Sequence, residues 1–215
     1  MNDADPHAQG ELLYSGASLE KAEGALILIH GRGATAEGIL SLADELNVEG
    51  FANLAPQAAG NSWYPQSFLA PLEFNQPYLD SALGRLGSIV SDLTGRGISS
   101  ERIALLGFSQ GACLVTEFVG RNPQHYGAVL ALSGGLIGPP GAPRSYAGSL
   151  QNTPAFLGSS DPDAHVPFSR VEETAAVFRR MGAAVDIRRY PGMAHSINGD
   201  EIEACRNLLL RIQSV

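Results

Sequence analysis

Ser109 stands at the centre of Gly107-Phe108-Ser109-Gln110-Gly111, a G-x-S-x-G that follows the apolar run Ile103-Ala104-Leu105-Leu106 and precedes a helical pattern. In that setting the motif reads as a nucleophile elbow, a sharp strand-to-helix turn that exposes the serine hydroxyl. Glycine at 107 and 111 lets strand and helix approach closely. The helix N-terminus adds positive potential where an oxyanion would form. A serine hydroxyl is unreactive at its ordinary pKa, so it needs a base, and the base needs an orienting acid. The chemistry indicated is acyl transfer through a serine ester.

Behind such an elbow the partners follow in the order Ser, then Asp or Glu, then His. His125, His165 and His195 are the histidines after Ser109. His125 lies in RNPQHYG, too near the elbow in sequence, and reads as a surface residue. His195, in YPGMAHSI, falls between the last strand and the last helix and reads as the general base. For the acid, the stretch LGSSDPDAHVP over residues 157–167 offers both Asp161 and Asp163. Together with His165 these carboxylates could ligate a metal, but three ligands on one loop lack a partner motif elsewhere. No metal is expected, and His165 reads as a rim residue or as a cap of the helix entered at Val166-Pro167.

A second glycine loop, His30-Gly31-Arg32-Gly33-Ala34-Thr35-Ala36, has two readings. As G-x-G-x-x-A after a strand it fits the dinucleotide fingerprint, which also wants an acidic residue at the end of the next strand. That strand, Phe51-Ala52-Asn53-Leu54-Ala55-Pro56, ends without one. The same loop can supply one N–H of an oxyanion hole. The donors would then be the backbone amides of Arg32 and Gln110. A dinucleotide- or ligand-binding α/β protein without hydrolysis is the alternative of a different class.

These residues need a scaffold, and the apolar patterning supplies one. Continuous, largely apolar runs at 25–29, 102–106, 128–132 and 154–157 predict strands covered on both faces, as in a parallel sheet. The more alternating run at 185–190 predicts a strand nearer the sheet edge. Helices are expected over 37–46, 78–93, 110–119, 167–181 and 200–212. Thr35 is expected as an N-cap, Pro77 at a helix start, and Gly95 and Gly182 as C-caps. The alternation predicts one α/β domain over residues 1–215 with a mostly parallel sheet. Two irregular segments, 56–76 with Trp63, Tyr64 and Phe68 and the Gly/Pro-rich 134–149, are candidate functional loops.

Bulk composition narrows the partners. Hydrophobic residues at 44% and charged residues at 17% describe a globular chain. With 14 basic against 22 acidic residues and no Lys/Arg run, neither nucleic acid nor an anionic membrane surface is an expected partner. The N-terminus is polar and acidic, and the apolar runs, about six residues long, fall far short of the roughly 20 that span a bilayer. A cytoplasmic address is expected. Cys113 and Cys205 lie far apart in sequence and read as reduced, buried thiols.

Taken in order, LIHGRGA, GFSQGA, LSGGL, the Asp-x-x-Val-Pro segment and YPGMAHSI resemble the phospholipase/carboxylesterase branch of the α/β-hydrolases, which includes acyl-protein thioesterases. The resemblance spans roughly residues 25–212. It implies the α/β-hydrolase fold, with Ser109 as nucleophile, His195 as base, and oxyanion donors at Arg32 and Gln110. It also selects the acid. Anchoring the family pattern on Gly158 gives Asp161 and needs a two-residue insertion; anchoring on Pro154 and on Val166-Pro167 needs no gap and gives Asp163. The chain departs from the thioesterases at Ala34, where they carry an acidic residue, and around Trp63-Tyr64-Pro65. These departures imply a small esterase of short- to medium-chain carboxylic esters, with Trp63, Tyr64 and Phe68 forming an acyl-side wall. Acyl thioesters or lysophospholipids are the alternative substrates of the same triad. No organic cofactor is required.

Overall fold

Burial on both faces turns the apolar runs into strands. In the computed structural model, which describes residues 5–213, β2 (Gly24–Ile29), β3 (Phe51–Pro56) and β5 (Ala128–Leu132) are buried along their whole length. β4 (Ile103–Phe108) is buried up to the half-exposed Phe108. β6 (Pro154–Asp161) and β7 (Ala184–Pro191) continue the sheet. β1 (Leu12–Gly16) completes it, in the order β1-β3-β2-β4-β5-β6-β7. β1 runs antiparallel to β3, and the other pairings are parallel. The expected edge position of the 185–190 strand is observed, and its residues alternate in exposure.

Alternate residues of each strand feed two apolar layers. Ile27, Ile29, Leu105, Val129 and Leu157 face one side. They pack there on α3 (Tyr78–Gly95), α4 (Gln110–Arg121) and α5 (Phe168–Arg180). Leu26, Leu28, Leu106, Leu130 and Phe156 face the other. They meet α1 (Ala36–Leu40), α2 (Leu42–Leu46) and α6 (Gly199–Ile212). Among the described residues no helix is long and apolar enough to cross a membrane.

Three details differ from the sequence reading. β1 was not expected, because LLYSG shows neither a sustained apolar run nor a clean alternation. The helix expected over 37–46 is two short ones, breaking at Ser41, whose hydroxyl donates to the Gly38 carbonyl. Gly95 ends α3 from within, while Gly97, at φ 94°, takes the left-handed turn. The Thr35 cap stands, its hydroxyl accepting the Gly38 N–H at 3.1 Å. Gly182 follows α5 at φ 86°.

The two irregular segments are tied down by polar side chains. Arg170 and Arg144, both paired with Glu173, donate to the carbonyls of Leu136 and Ile137 at 2.6 and 2.7 Å, which holds the 134–149 segment. Glu117, buried in α4, accepts from the Ile137 N–H and the Tyr146 hydroxyl.

The tightest constraint lies where β2, β4 and α4 meet. A Cβ on Gly111 would stand 2.1 Å from the Ile29 carbonyl oxygen, and one on Gly107 would stand 2.4 Å from Gly111 backbone. Backbone cannot swing aside as a side chain would. Gly111→Ala and Gly107→Ala are therefore each expected to lose about 1–3 kcal/mol of stability in urea titrations. Gly84, in α3 with open space where its Cβ would be, supplies the contrast. Gly84→Ala should gain about 0.5–1 kcal/mol from helix propensity.

Candidate active site

Ser109 sits between β4 and α4 at φ 55°, ψ −118°, a conformation that costs a non-glycine residue about 1–3 kcal/mol. It is held there by its N–H on the Leu132 carbonyl and by the Cys113 N–H on its own carbonyl. His195 follows β7 and Asp163 follows β6, so all three reach the carboxyl edge of the parallel strands. The His195 Nε2 lies 2.9 Å from the Ser109 Oγ, and its Nδ1 lies 2.7 Å from Oδ2 of Asp163.

The Asp163 carboxylate is saturated with donors. Oδ1 accepts the N–H groups of His165 and Val166 at 2.7 and 2.9 Å, and Oδ2 also accepts the Ser160 hydroxyl at 2.8 Å. Burial alone would raise its pKa, but the hydrogen bonds from His195, the two amides and Ser160 overcome it and hold the carboxyl at about 2. An ionised Asp163 accepts a hydrogen bond from the Nδ1–H of His195, which leaves Nε2 free to accept from Ser109. Asp161 is elsewhere, paired with Arg189 at 3.2 Å on the surface. The two aspartates thus diverge, and only Asp163 is brought to His195. The rings of Phe108 and His165 pack on His195 at 5.0 and 4.7 Å. His125 is remote from this group, bonded to the Gln151 carbonyl.

Gly31 places the second glycine loop against the elbow, where a Cβ would lie 3.4 Å from that of Ser109. The backbone N–H groups of Arg32 and Gln110 have no acceptor among the described residues, and Gln110 opens α4. Their side chains hold the aromatic segment in place. The Arg32 guanidinium donates to the Pro65 and Gln66 carbonyls at 3.0 and 2.7 Å. The Gln110 amide accepts the Trp63 N–H at 3.0 Å and donates to the Tyr64 carbonyl at 2.8 Å. His30 accepts the Ala58 N–H at Nε2 and donates from Nδ1 to the Gly31 carbonyl, a neutral tautomer that burial favours by lowering its pKa. The loop is committed to this framework, and Gly33 donates to the Asn61 carbonyl, an arrangement unlike a phosphate cradle.

Beside Ser109 opens a cavity of about 500 Å³ walled by Tyr64, Phe68, Cys113 and Val166, with His165 at its rim. Tyr64 and Phe68 stand where the sequence reading put a wall; Trp63 does not. It is wholly buried behind them, its indole N–H on the His30 carbonyl at 2.9 Å and its ring against His30 and His7. An indole N–H buried with the ring must find an acceptor, and here that acceptor lies in the framework. Burial pushes the Cys113 thiol up to about 12, so it is an uncharged part of the cavity lining. Both cysteines are free and buried.

The sequence model of the phospholipase/carboxylesterase family matches residues 16–212. The chain belongs to the phospholipase/carboxylesterase family. Acyl-protein thioesterase 1 of Saccharomyces cerevisiae is 30% identical over 212 residues, covering 87% of this chain and 92% of its own. Its counterpart from Debaryomyces hansenii is 26% identical over 215 residues, covering 90% and 93%. The crystal structure of a phospholipase/carboxylesterase from Dyadobacter fermentans is 44% identical, superposes with a TM-score of 0.91, and covers 97% of this chain and all (100%) of its own. The chain is accordingly a carboxylic ester hydrolase with the α/β-hydrolase fold.

Sequence reasoning missed His7. Its ring is fully buried, accepting the Ala59 N–H and donating to the Trp63 carbonyl. A single histidine in a polar N-terminal stretch carries no pattern that would have flagged it. Glu201 was also missed as more than a helix residue. It closes a capping box with Asn198, the N-cap of α6, which shares a loop with His195. Its other oxygen is buried and has no hydrogen-bond partner among the described residues. That oxygen lies where a Cβ on Gly158 would come within 2.4 Å. Burial pushes the Glu201 carboxyl up to about 7.

The two carboxylates pull stability in opposite directions with pH. Asp163, depressed to about 2, contributes stability above its ordinary 3.8 that is lost as pH falls toward 2. Glu201 is harder to ionise folded than unfolded, so stability is full below its ordinary 4.5 and falls as pH rises to about 7. Urea midpoints should therefore decline between pH 5 and 7 as Glu201 ionises. Glu201→Gln keeps an acceptor for the Asn198 N–H, so it should flatten that decline and stabilise the protein at pH 8 by about 1 kcal/mol or more.

Proposed function

We propose that this hydrolase is a serine carboxylesterase of short- to medium-chain carboxylic esters, with Ser109, His195 and Asp163 as its catalytic triad. The supporting observation is the unbroken hydrogen-bond chain from the Ser109 hydroxyl through both His195 nitrogens to Asp163. Ser109 Oγ attacks the ester carbonyl while His195 Nε2 takes its proton. Asp163 fixes the imidazole tautomer and stabilises the imidazolium that forms. The carbonyl oxygen, now an oxyanion, is held by the N–H groups of Arg32 and Gln110, each such donor contributing on the order of 3 kcal/mol in the transition state. His195 then gives its proton to the departing alcohol, and water repeats the sequence on the acyl-enzyme, releasing the carboxylate.

The acyl group lies in the cavity walled by Tyr64 and Phe68, whose roughly 500 Å³ suits a small chain more than a long one. A thioester presents the same carbonyl to the same groups. The relatives named acyl-protein thioesterases support thioesters as a secondary substrate class.

Hydrolysis of p-nitrophenyl acetate and octanoate by wild type and Ser109→Ala tests the nucleophile. The variant should lose at least about a thousandfold in kcat/KM, and equal rates would overturn the assignment. The acid has a separate test. Asp163→Asn should lower kcat by about ten thousandfold, whereas Asp161→Asn, which removes only a surface partner of Arg189, should stay within about fivefold. The opposite ranking would transfer the role to Asp161.

A further inference from the structure

The Gly/Pro-rich segment 134–149 lies outside the triad, yet one of its amides reaches the wall of the cavity beside Ser109. The Gly138 N–H donates to the Phe68 carbonyl at 2.7 Å, and Phe68 lines that cavity. Arg170 grips both partners of this bond. Its Nη1 donates to the Leu136 and Gly138 carbonyls at 2.6 and 2.9 Å. Its guanidinium carbon also lies 5.6 Å from the centre of the Phe68 ring. The side chain is 4% exposed and pairs through Nε with Glu173 at 2.7 Å. A cation held over an aromatic face out of water binds that face more firmly than an exposed one does.

We infer that Arg170 is the positioning residue of the acyl wall and that it sets the acyl chain length this hydrolase accepts. The inference rests on the triad reading above and adds to it what fixes the depth of the acyl cavity. Phe68 can leave its place in two ways, by rotation of its ring or by displacement of its backbone. The guanidinium opposes the first. The Gly138 bond opposes the second, and Arg170 fixes Gly138 in turn.

There is space for the wall to give way into. A further cavity of about 190 Å³ has Gly138 in its lining, with Leu72 and Ile137 on an apolar side and Glu117, Arg121 and Arg144 on a polar one. Phe68 and Gly138 thus join the walls of two cavities. A long chain gains free energy from every methylene it buries, so a short cavity stays short only while its wall is held. Arg170 touches no reacting atom and acts through Phe68. It lies in the first turn of α5, just past Val166, whose N–H binds Asp163. One short stretch of chain therefore carries both the acid corner and the clamp on the acyl wall.

The test is the ratio of kcat/KM for p-nitrophenyl dodecanoate to that for p-nitrophenyl butyrate. Arg170→Met removes the cation while Arg144 stays on Glu173 at 3.0 Å and on the Gly138 carbonyl at 3.1 Å. The ratio should rise at least about tenfold, mainly through a lower KM for the dodecanoate, as burial of roughly two more methylenes would give. Phe68→Ala should raise it similarly, and adding Arg170→Met to Phe68→Ala should change it by less than about twofold. Arg170→Lys keeps the charge but offers one ammonium where the planar fork meets Leu136, Gly138 and Glu173, so the ratio should rise at least about threefold. The lysine variant decides the question if the methionine variant does not fold. An unmoved ratio in the folded variants, including an equal loss of rate on both esters, marks a purely structural residue and overturns the inference. So does a ratio that Arg170→Met still moves once Phe68 is gone. No p-nitrophenol release from either ester by wild type overturns the triad reading and this one with it.

Discussion

Ser109 occupies a backbone conformation that its own residue type resists, and the neighbourhood exists to hold it there. Two glycines let α4 lie directly on the ends of β2 and β4, so close that a methyl group at either position would enter backbone. Side-chain packing cannot achieve this approach, since any Cβ would keep the helix away. Once the contact is made, the helix N-terminus, the His30–Gly31 turn and the serine hydroxyl converge without further choice. The strain is local, and the buried sheet around it carries the cost.

Around that turn the polar groups divide into those that converge on Ser109 and those that hold the framework. His195 and Asp163 are aimed at the serine. His30, Gln110, Arg32 and His7 direct their side-chain hydrogen bonds to the 57–66 segment or its anchoring turn. Asp163 and Glu201 show how burial alone decides little. Both are enclosed carboxyls at the start of a loop or helix, yet one is saturated with donors and stays ionised while the other has an orphan oxygen and holds its proton toward neutrality.

Much of this was legible in the sequence because the relevant signals are local. The strand interiors are continuous apolar runs, and the elbow is five consecutive residues whose spacing has a steric reason. The choice between Asp161 and Asp163 needed distance along the chain from two fixed elements, and the pairing with His195 falls where the gap-free count put it. What was not legible depends on contacts far apart in sequence. β1 is a strand because β3 offers it an edge, and Trp63 turns from the cavity because a carbonyl 33 residues away takes its N–H. The break at Ser41 is invisible in hydrophobic periodicity, since both short helices keep the same buried face.

His7 gives the N-terminal segment an unusual standing. Chain ends are ordinarily where sequence drifts freely and where fusions are attached without penalty. Here one imidazole near the end bridges the Ala59 amide and the Trp63 carbonyl, behind the wall of the cavity beside Ser109. Its backbone N–H is fixed on the Ser81 hydroxyl, itself bonded to Asp5. Trimming that removes His7, or a tag that pulls it out, would leave the Ala59 N–H and the Trp63 carbonyl unpaired behind the cavity wall. A change outside every recognisable motif would then reach the cavity beside Ser109 without altering any residue that lines it.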